Sequence, residues 1–166
     1  ILGIKIPANF NKPFFEKSPS EFWRRWHISL SSWVRDYLYF PMIWGKRRSI
    51  VRLSLGLVIS MVLLGIWHGA GWNFLIYGLI WGIILAGHQI ITSTILKDKK
   101  IKFFQHKIGT IISIFITQYL VFFTFLGFRI SDLNDYVYSM QKYIFLDFKI
   151  EQTLEIIKSH EIAVVL

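Results

Sequence analysis

Between Leu53 and Leu96 the chain carries no Asp, Glu, Lys or Arg, and two histidines, His68 and His88, are the only side chains there that ionise near neutral pH. A hydrocarbon core of about 30 Å is crossed by about 20 helical residues, so a run of roughly twice that length has to cross, turn and cross back. The turn falls at Gly69-Ala70-Gly71, where closely spaced glycines permit backbone angles that other residues resist. His68 then sits at the tip of a helical hairpin. An imidazole in such a run is costly to keep unless it faces a cavity or a partner. Non-helical backbone at membrane depth is tolerated only where it is buried in protein or lines a water-filled space. His68 is therefore the first candidate for a functional group.

The rest of the composition agrees with a membrane protein. The chain is 54% hydrophobic, 17% aromatic and 17% charged, with a mean hydropathy of +0.46, outside the range of ordinary soluble domains. A net charge of +9 could suit nucleic acid, but the cations flank apolar spans and no nucleic-acid motif accompanies them. Anionic lipid headgroups are the better match, which makes the bilayer the expected partner and excludes nucleic acid. The absence of cysteine removes disulfides, thiolate metal sites and thiol nucleophiles. With no Met at position 1 and an apolar Ala163-Val164-Val165-Leu166 at the other end, the chain reads as an internal fragment of a larger polytopic protein.

Residues 1–17 hold Pro7, Pro13 and an Asn-Phe-Asn between them, and read as an irregular connector. Ser18-Pro19-Ser20-Glu21 then combines an N-cap, a proline suited to the first helical position and an acidic residue three places on. At 3.6 residues per turn, Phe22, Trp23, Trp26, Leu30, Trp33, Val34 and Tyr37 share one face of a helix from Ser20 to Phe40, with Arg24, Arg25, Ser32, Arg35 and Asp36 elsewhere. That pattern predicts an amphipathic helix lying at the membrane interface or plugging the protein near it, with His27 at the margin of the apolar stripe. Pro41 is expected to end or bend it.

Lys46, Arg47, Arg48 and Arg52 precede the hairpin, and Lys97, Lys99, Lys100, Lys102 and Lys107 follow it. The positive-inside rule puts both clusters in the cytoplasm and the hairpin tip toward the other side. Gly65-x-x-x-Gly69 and Gly78-x-x-x-Gly82 are small-residue ridges suited to close helix packing. Ile108 to Phe128 forms a third uncharged span, and Leu133, Val137, Met140 and Ile144 space a short amphipathic helix behind Asp132.

A lone histidine with no Ser, Cys or Asp beside it suits general-base catalysis better than a covalent triad. The bland alternative is a neutral imidazole bonded between helices for structure alone, and for His88, His106 and His160 packing or surface roles are the better reading. His27 and His68 are too few ligands for a metal, and the hairpin has no carboxylate, so no metal and no bound cofactor is expected.

Three stretches resemble a known family. Ala8-Asn9-Phe10-Asn11-Lys12-Pro13-Phe14, the run from Glu21-Phe22-Trp23-Arg24-Arg25-Trp26-His27 to Tyr39-Phe40-Pro41, and Gly65-Ile66-Trp67-His68-Gly69-Ala70-Gly71-Trp72 are similar to the membrane-bound O-acyltransferases. The likeness is strongest to the bacterial branch of alginate O-acetyltransferases and D-alanyl teichoic acid transferases, and Phe128-Arg129 also resembles that branch. It implies that His68 is catalytic and that His27 lines the same reaction chamber. Trp67, Trp72 and Asn73 at the tip, with Arg24 and Ser31 on the capped helix, complete the expected substrate-binding set.

The expected fold is therefore all-α: a polytopic membrane fragment of about three transmembrane helices with a re-entrant-like, His-bearing hairpin and an amphipathic interfacial helix. Residues 1–166 would form one domain, the catalytic C-terminal part of a larger O-acyltransferase in the inner (cytoplasmic) membrane. The expected reaction transfers an acyl group, acetyl in the main reading, from acyl-CoA or a carrier-protein thioester to hydroxyls of a cell-surface polysaccharide or similar polymer, directly or through a relay protein. D-Alanyl transfer to teichoic acid is the alternative within the family. A transporter or channel fragment is the alternative outside it, since broken helices and buried histidines also line permeation paths.

Overall fold

The Ser18 hydroxyl accepts the Glu21 N–H at 3.3 Å and Pro19 takes the first helical position, so α1 (Pro19–Arg25) starts where its cap sequence predicts. The computed structural model describes residues 7–45, 49–95 and 106–146. Among these every regular element is helical. The lysine and arginine clusters at 46–48 and 97–102, and the polar segment from 147 onward, lie outside the described residues.

The helix predicted from Ser20 to Phe40 is not continuous. α1 stops at Arg25, Trp26 is extended, His27 adopts left-handed angles (φ 46, ψ 54), and α2 (Ile28–Trp33) begins afresh. It widens into a π-helical stretch, Val34–Tyr39, and then tightens into α3 (Phe40–Ile43). Pro41 therefore lies within a helix. The shift of hydrogen-bond register at a π turn leaves one N–H without a helical partner, and a proline, which has none, fits directly after it.

α4 (Ile50–His68), α5 (Trp72–Ile90, continuing as a π turn to Ile95) and α6 (Lys107–Arg129) are each long and apolar enough to cross a membrane. A 19-residue helix is about 28 Å long at about 1.5 Å per residue. Each limb of the hairpin is thus a full crossing, with His68 at the end of one. Their outward faces are apolar: Ile59, Leu63, Ile83, Phe115 and Ile116 are all exposed, as lipid contact requires. The fold is that of a multi-pass membrane protein.

α4 and α5 pack along the glycine ridges. A Cβ on Gly65 would strike the Phe74 carbonyl oxygen, and one on Gly82 would lie 2.7 Å from Val58 Cα. At the tip the glycines provide space rather than unusual angles. Gly69 is extended (φ 165) and Gly71 ordinary β (φ −80), but a side chain on Gly69 would meet the Phe74 ring at 2.6 Å.

α1 is packed into the protein. Phe22 and Trp23, both buried, meet the fully buried Trp81 of α5, Phe22 stacked at 5.5 Å and Trp23 edge-on at 5.2 Å. Trp26 packs against Phe125 of α6 at 5.4 Å. Such pairs are each worth about 0.5–1.5 kcal/mol beyond area burial. α7 (Leu133–Ile144) is capped by Asp132, whose carboxylate accepts the N–H groups of Asn134 and Asp135. The face turned inward carries Tyr136, fully buried, while Leu133, Val137 and Ile144 of the predicted stripe are exposed. Tyr119 and Tyr143 each donate a phenol to the other's backbone carbonyl.

Candidate active site

The break between α1 and α2 places the first motif histidine. Its left-handed backbone is uncommon for a residue with a Cβ, and it is held from outside the helix. Asn9, in the connector, accepts the Ile28 N–H through its backbone carbonyl at 2.8 Å. Its side-chain oxygen accepts the N–H and the hydroxyl of Ser29, each at 3.0 Å. Its amide nitrogen lies 3.3 Å from His27 Nδ1. The Ser31 hydroxyl closes the other side by donating to the Trp26 carbonyl at 2.9 Å.

The second motif histidine ends α4. The His68 ring sits among aromatic rings: Trp67 and Phe128 at 4.9 Å, Tyr77 at 5.9 Å and Phe74 at 6.2 Å. Among the described residues no side chain hydrogen-bonds this imidazole, which leaves both its nitrogens open to a reactant. Asn73 fixes the tip from behind. It is buried, and its amide donates to the Gly127 carbonyl at 2.7 Å, tying the start of α5 to the end of α6.

His27 and His68 line one cavity of about 400 Å³ with Trp26, Tyr77, Phe125, Phe128 and Arg129. The Trp67 ring lies 6.3 Å from His27 and 4.9 Å from His68, so the two imidazole centroids lie within about 11 Å of each other. Although 41 positions apart in sequence (68 − 27), both line this one cavity. The volume falls within the range of about 300–1,000 Å³ usual for small-molecule sites. Arg129 brings a cation to it, able to meet developing negative charge.

A second cavity, also of about 400 Å³, lies across the α1–α2 break, where Arg24, Ser31, Arg35 and Ser60 are among its lining. Ser60 is buried and, among the described residues, its hydroxyl has no partner. Of the residues expected to bind substrate, Trp67 touches both histidine rings but is exposed and does not line their cavity. Arg24 and Ser31 are at the second one, Asn73 is engaged with Gly127, and Trp72 is exposed at the start of α5. His88 is bonded to Ser20 at 3.0 Å.

Tyr77 and Arg129 join the site from α5 and α6 and escape the sequence reading, as does Asn9. Arg129 and Asn9 carried a signal only through the family resemblance of Phe128-Arg129 and of the Ala8–Phe14 stretch, and Tyr77 carried none. Among the described residues no group of three or more His, Cys, Asp or Glu is placed to hold a metal.

The chain is similar to several bacterial proteins named as acyl or alanyl transferases. It is 46% identical over 86 residues to a probable alginate O-acetylase of Azotobacter vinelandii, covering 52% of this chain and 17% of that protein. It is 37% identical over 133 residues to a teichoic acid D-alanyltransferase of Bacillus subtilis, covering 75% and 33%. It is 44% identical over 87 residues to a peptidoglycan O-acetyltransferase of Helicobacter pylori, covering 52% and 16%. The chain thus spans between a sixth and a third of the length of these relatives. The sequence model of the membrane-bound O-acyltransferase family matches residues 1–132, and the chain belongs to that family.

Proposed function

We propose that this chain carries the histidine-bearing part of an enzyme that transfers an acyl group, acetyl in the first instance, to a hydroxyl of a cell-surface polymer. The observation that carries the proposal is one cavity lined by both motif histidines in a chain of this family. His68 takes the proton of the acceptor hydroxyl as its oxygen bonds to the acyl carbonyl carbon. The same imidazole then returns the proton to the departing thiolate. Acyl-CoA or a carrier-protein thioester is the donor and the cytoplasmic membrane the location. A relay protein would carry the group where the polymer lies out of reach.

The test is the ester content of the surface polymers in cells carrying the full-length gene, compared with a deletion and with His68→Gln at matched protein level. Loss of ester in both supports the reading, and full ester in His68→Gln removes His68 from the mechanism. The teichoic acid D-alanyltransferase aligns over more of the chain than the two O-acetyltransferases do, so D-alanyl transfer is the second reading. Mild alkaline release separates the two, since one yields acetate and the other alanine.

A further inference from the structure

Resting on the acyl-transfer reading, the geometry points to Asn9 as a positioning residue that fixes His27 with its ring proton on Nε2, making His27 a hydrogen-bond donor to the reacting carbonyl oxygen. The orientation of the Asn9 amide is set independently of the histidine. A backbone N–H can only donate, so the atom of Asn9 that meets Ser29 N at 3.0 Å is the oxygen, and the atom that meets His27 Nδ1 at 3.3 Å is the nitrogen. An amide NH₂ in turn can only donate. His27 Nδ1 therefore accepts, and a neutral ring that accepts on Nδ1 carries its hydrogen on Nε2. Among the described residues no other group bonds this ring. Nε2, on the side away from Asn9, is the nitrogen left for the cavity that His27 lines.

The same residue supplies the backbone geometry. The N-terminal N–H groups of a helix need acceptors, and His27, at the cap position of α2, provides none from its side chain. Asn9 provides them instead, through its carbonyl to Ile28 and its side chain to Ser29. One residue thus caps α2 across the chain, holds His27 at its left-handed angles and sets its tautomer. The two cavity histidines divide the work. His68, with no protein hydrogen bond among the described residues, is free to accept a proton, and His27 is committed to donating a hydrogen bond as charge develops on oxygen.

The experiment is nitrogen NMR of the full-length protein in lipid with ¹⁵N-labelled histidine, the His27 signals identified by their loss in His27→Gln. The expected result is a bare Nδ1 and a protonated Nε2 in the native protein. In Asn9→Asp, which keeps the acceptor for Ser29, Nδ1 is expected to gain a proton toward the new carboxylate. A protonated Nδ1 in the native protein, or a bare one in Asn9→Asp, overturns the assignment. Kinetics give a second reading. His27→Leu is expected to lose about 10²–10³ in kcat, as removal of one oxyanion donor does, with KM little changed, while His27→Gln, which keeps a donor at similar reach, stays within about tenfold of wild type. Equal losses in the two variants also overturn it. The NMR result does not depend on activity, so failure of the tautomer with His68→Gln inactive sinks this inference alone. Absence of any acyl transfer with the tautomer as expected sinks the proposed function instead.

Discussion

Gly78 is one of the tightest points of the hairpin. Building alanine there puts a Cβ onto the Met61 carbonyl oxygen and 2.9 Å from Val62 Cα, both backbone atoms of α4 that no rotamer change can move. Carbon atoms settle at about 3.5–4.0 Å, so the helices must part by roughly 0.6–1 Å at this level. Overpacking of this kind costs about 1–3 kcal/mol, and the better helix propensity of alanine offsets about 1 kcal/mol of it. Gly87 is the internal control, because a Cβ there meets nothing within 4 Å and Gly87→Ala changes propensity alone. The gap between the two variants is therefore the packing cost by itself, about 1–3 kcal/mol. It is read as the difference in unfolding midpoint of the full-length protein in one detergent. The same parting reaches Gly65, which faces Gly78 near the His68 end of α4. A shift of about 1 Å in a reacting group can cost about 10²-fold, so Gly78→Ala should also lower ester formation while Gly87→Ala does not. Equal midpoints for the two variants would refute the close-packed hairpin.

Three further outcomes are expected. His68→Gln lowers acyl transfer by about 10²–10⁴-fold, the usual contribution of a general base, without changing the unfolding midpoint by more than a few degrees. Asn73→Ala leaves the Gly127 carbonyl unpaired in a buried position and costs about 1–3 kcal/mol, measured by chemical unfolding, with activity reduced because Phe128 and Arg129 follow Gly127 into the site. Burial pushes the Tyr136 phenol up to about 12 from its ordinary 10.0, so the unfolded chain ionises first. The stability tied to its proton is intact below about pH 10 and is lost as pH rises toward about 12. Tyr136→Phe should therefore show a flatter stability profile across that window.

The long features of this chain could be read from its residues because they depend on local physics. The uncharged run from Leu53 to Leu96 dictates a two-span hairpin, its glycines dictate where the limbs touch, and Ser18 and Asp132 cap their helices through neighbours two or three places away. The break at Trp26 and His27 was invisible for the opposite reason. Apolar residues continue in helical phase through Trp23, Trp26 and Leu30, and the groups that interrupt the helix come from Asn9, on a connector with no periodicity. The same holds for Tyr77 and Arg129, which reach the cavity from α5 and α6. For α7 the spacing was right but the face was not, since bulky Tyr136 rather than the aliphatic stripe fills the gap beside Gly127.

The hairpin also sets an order of assembly. α4 and α5 are joined by three residues, and their contacts are between chain neighbours, so the loop-closure cost of pairing them is small. The pair can zip together within the bilayer as soon as both spans have been inserted. α1 precedes them in the chain, yet its anchors, Phe22 and Trp23, have nowhere to dock until Trp81 is presented by the assembled pair. Its aromatic residues must therefore wait, with the cavity unformed, until a segment almost sixty positions downstream (81 − 22 = 59) has been made. The cavity waits longer still, because Phe125, Phe128 and Arg129 of its lining come from α6, and a ribosome that stops before α6 leaves both histidines in an incomplete pocket.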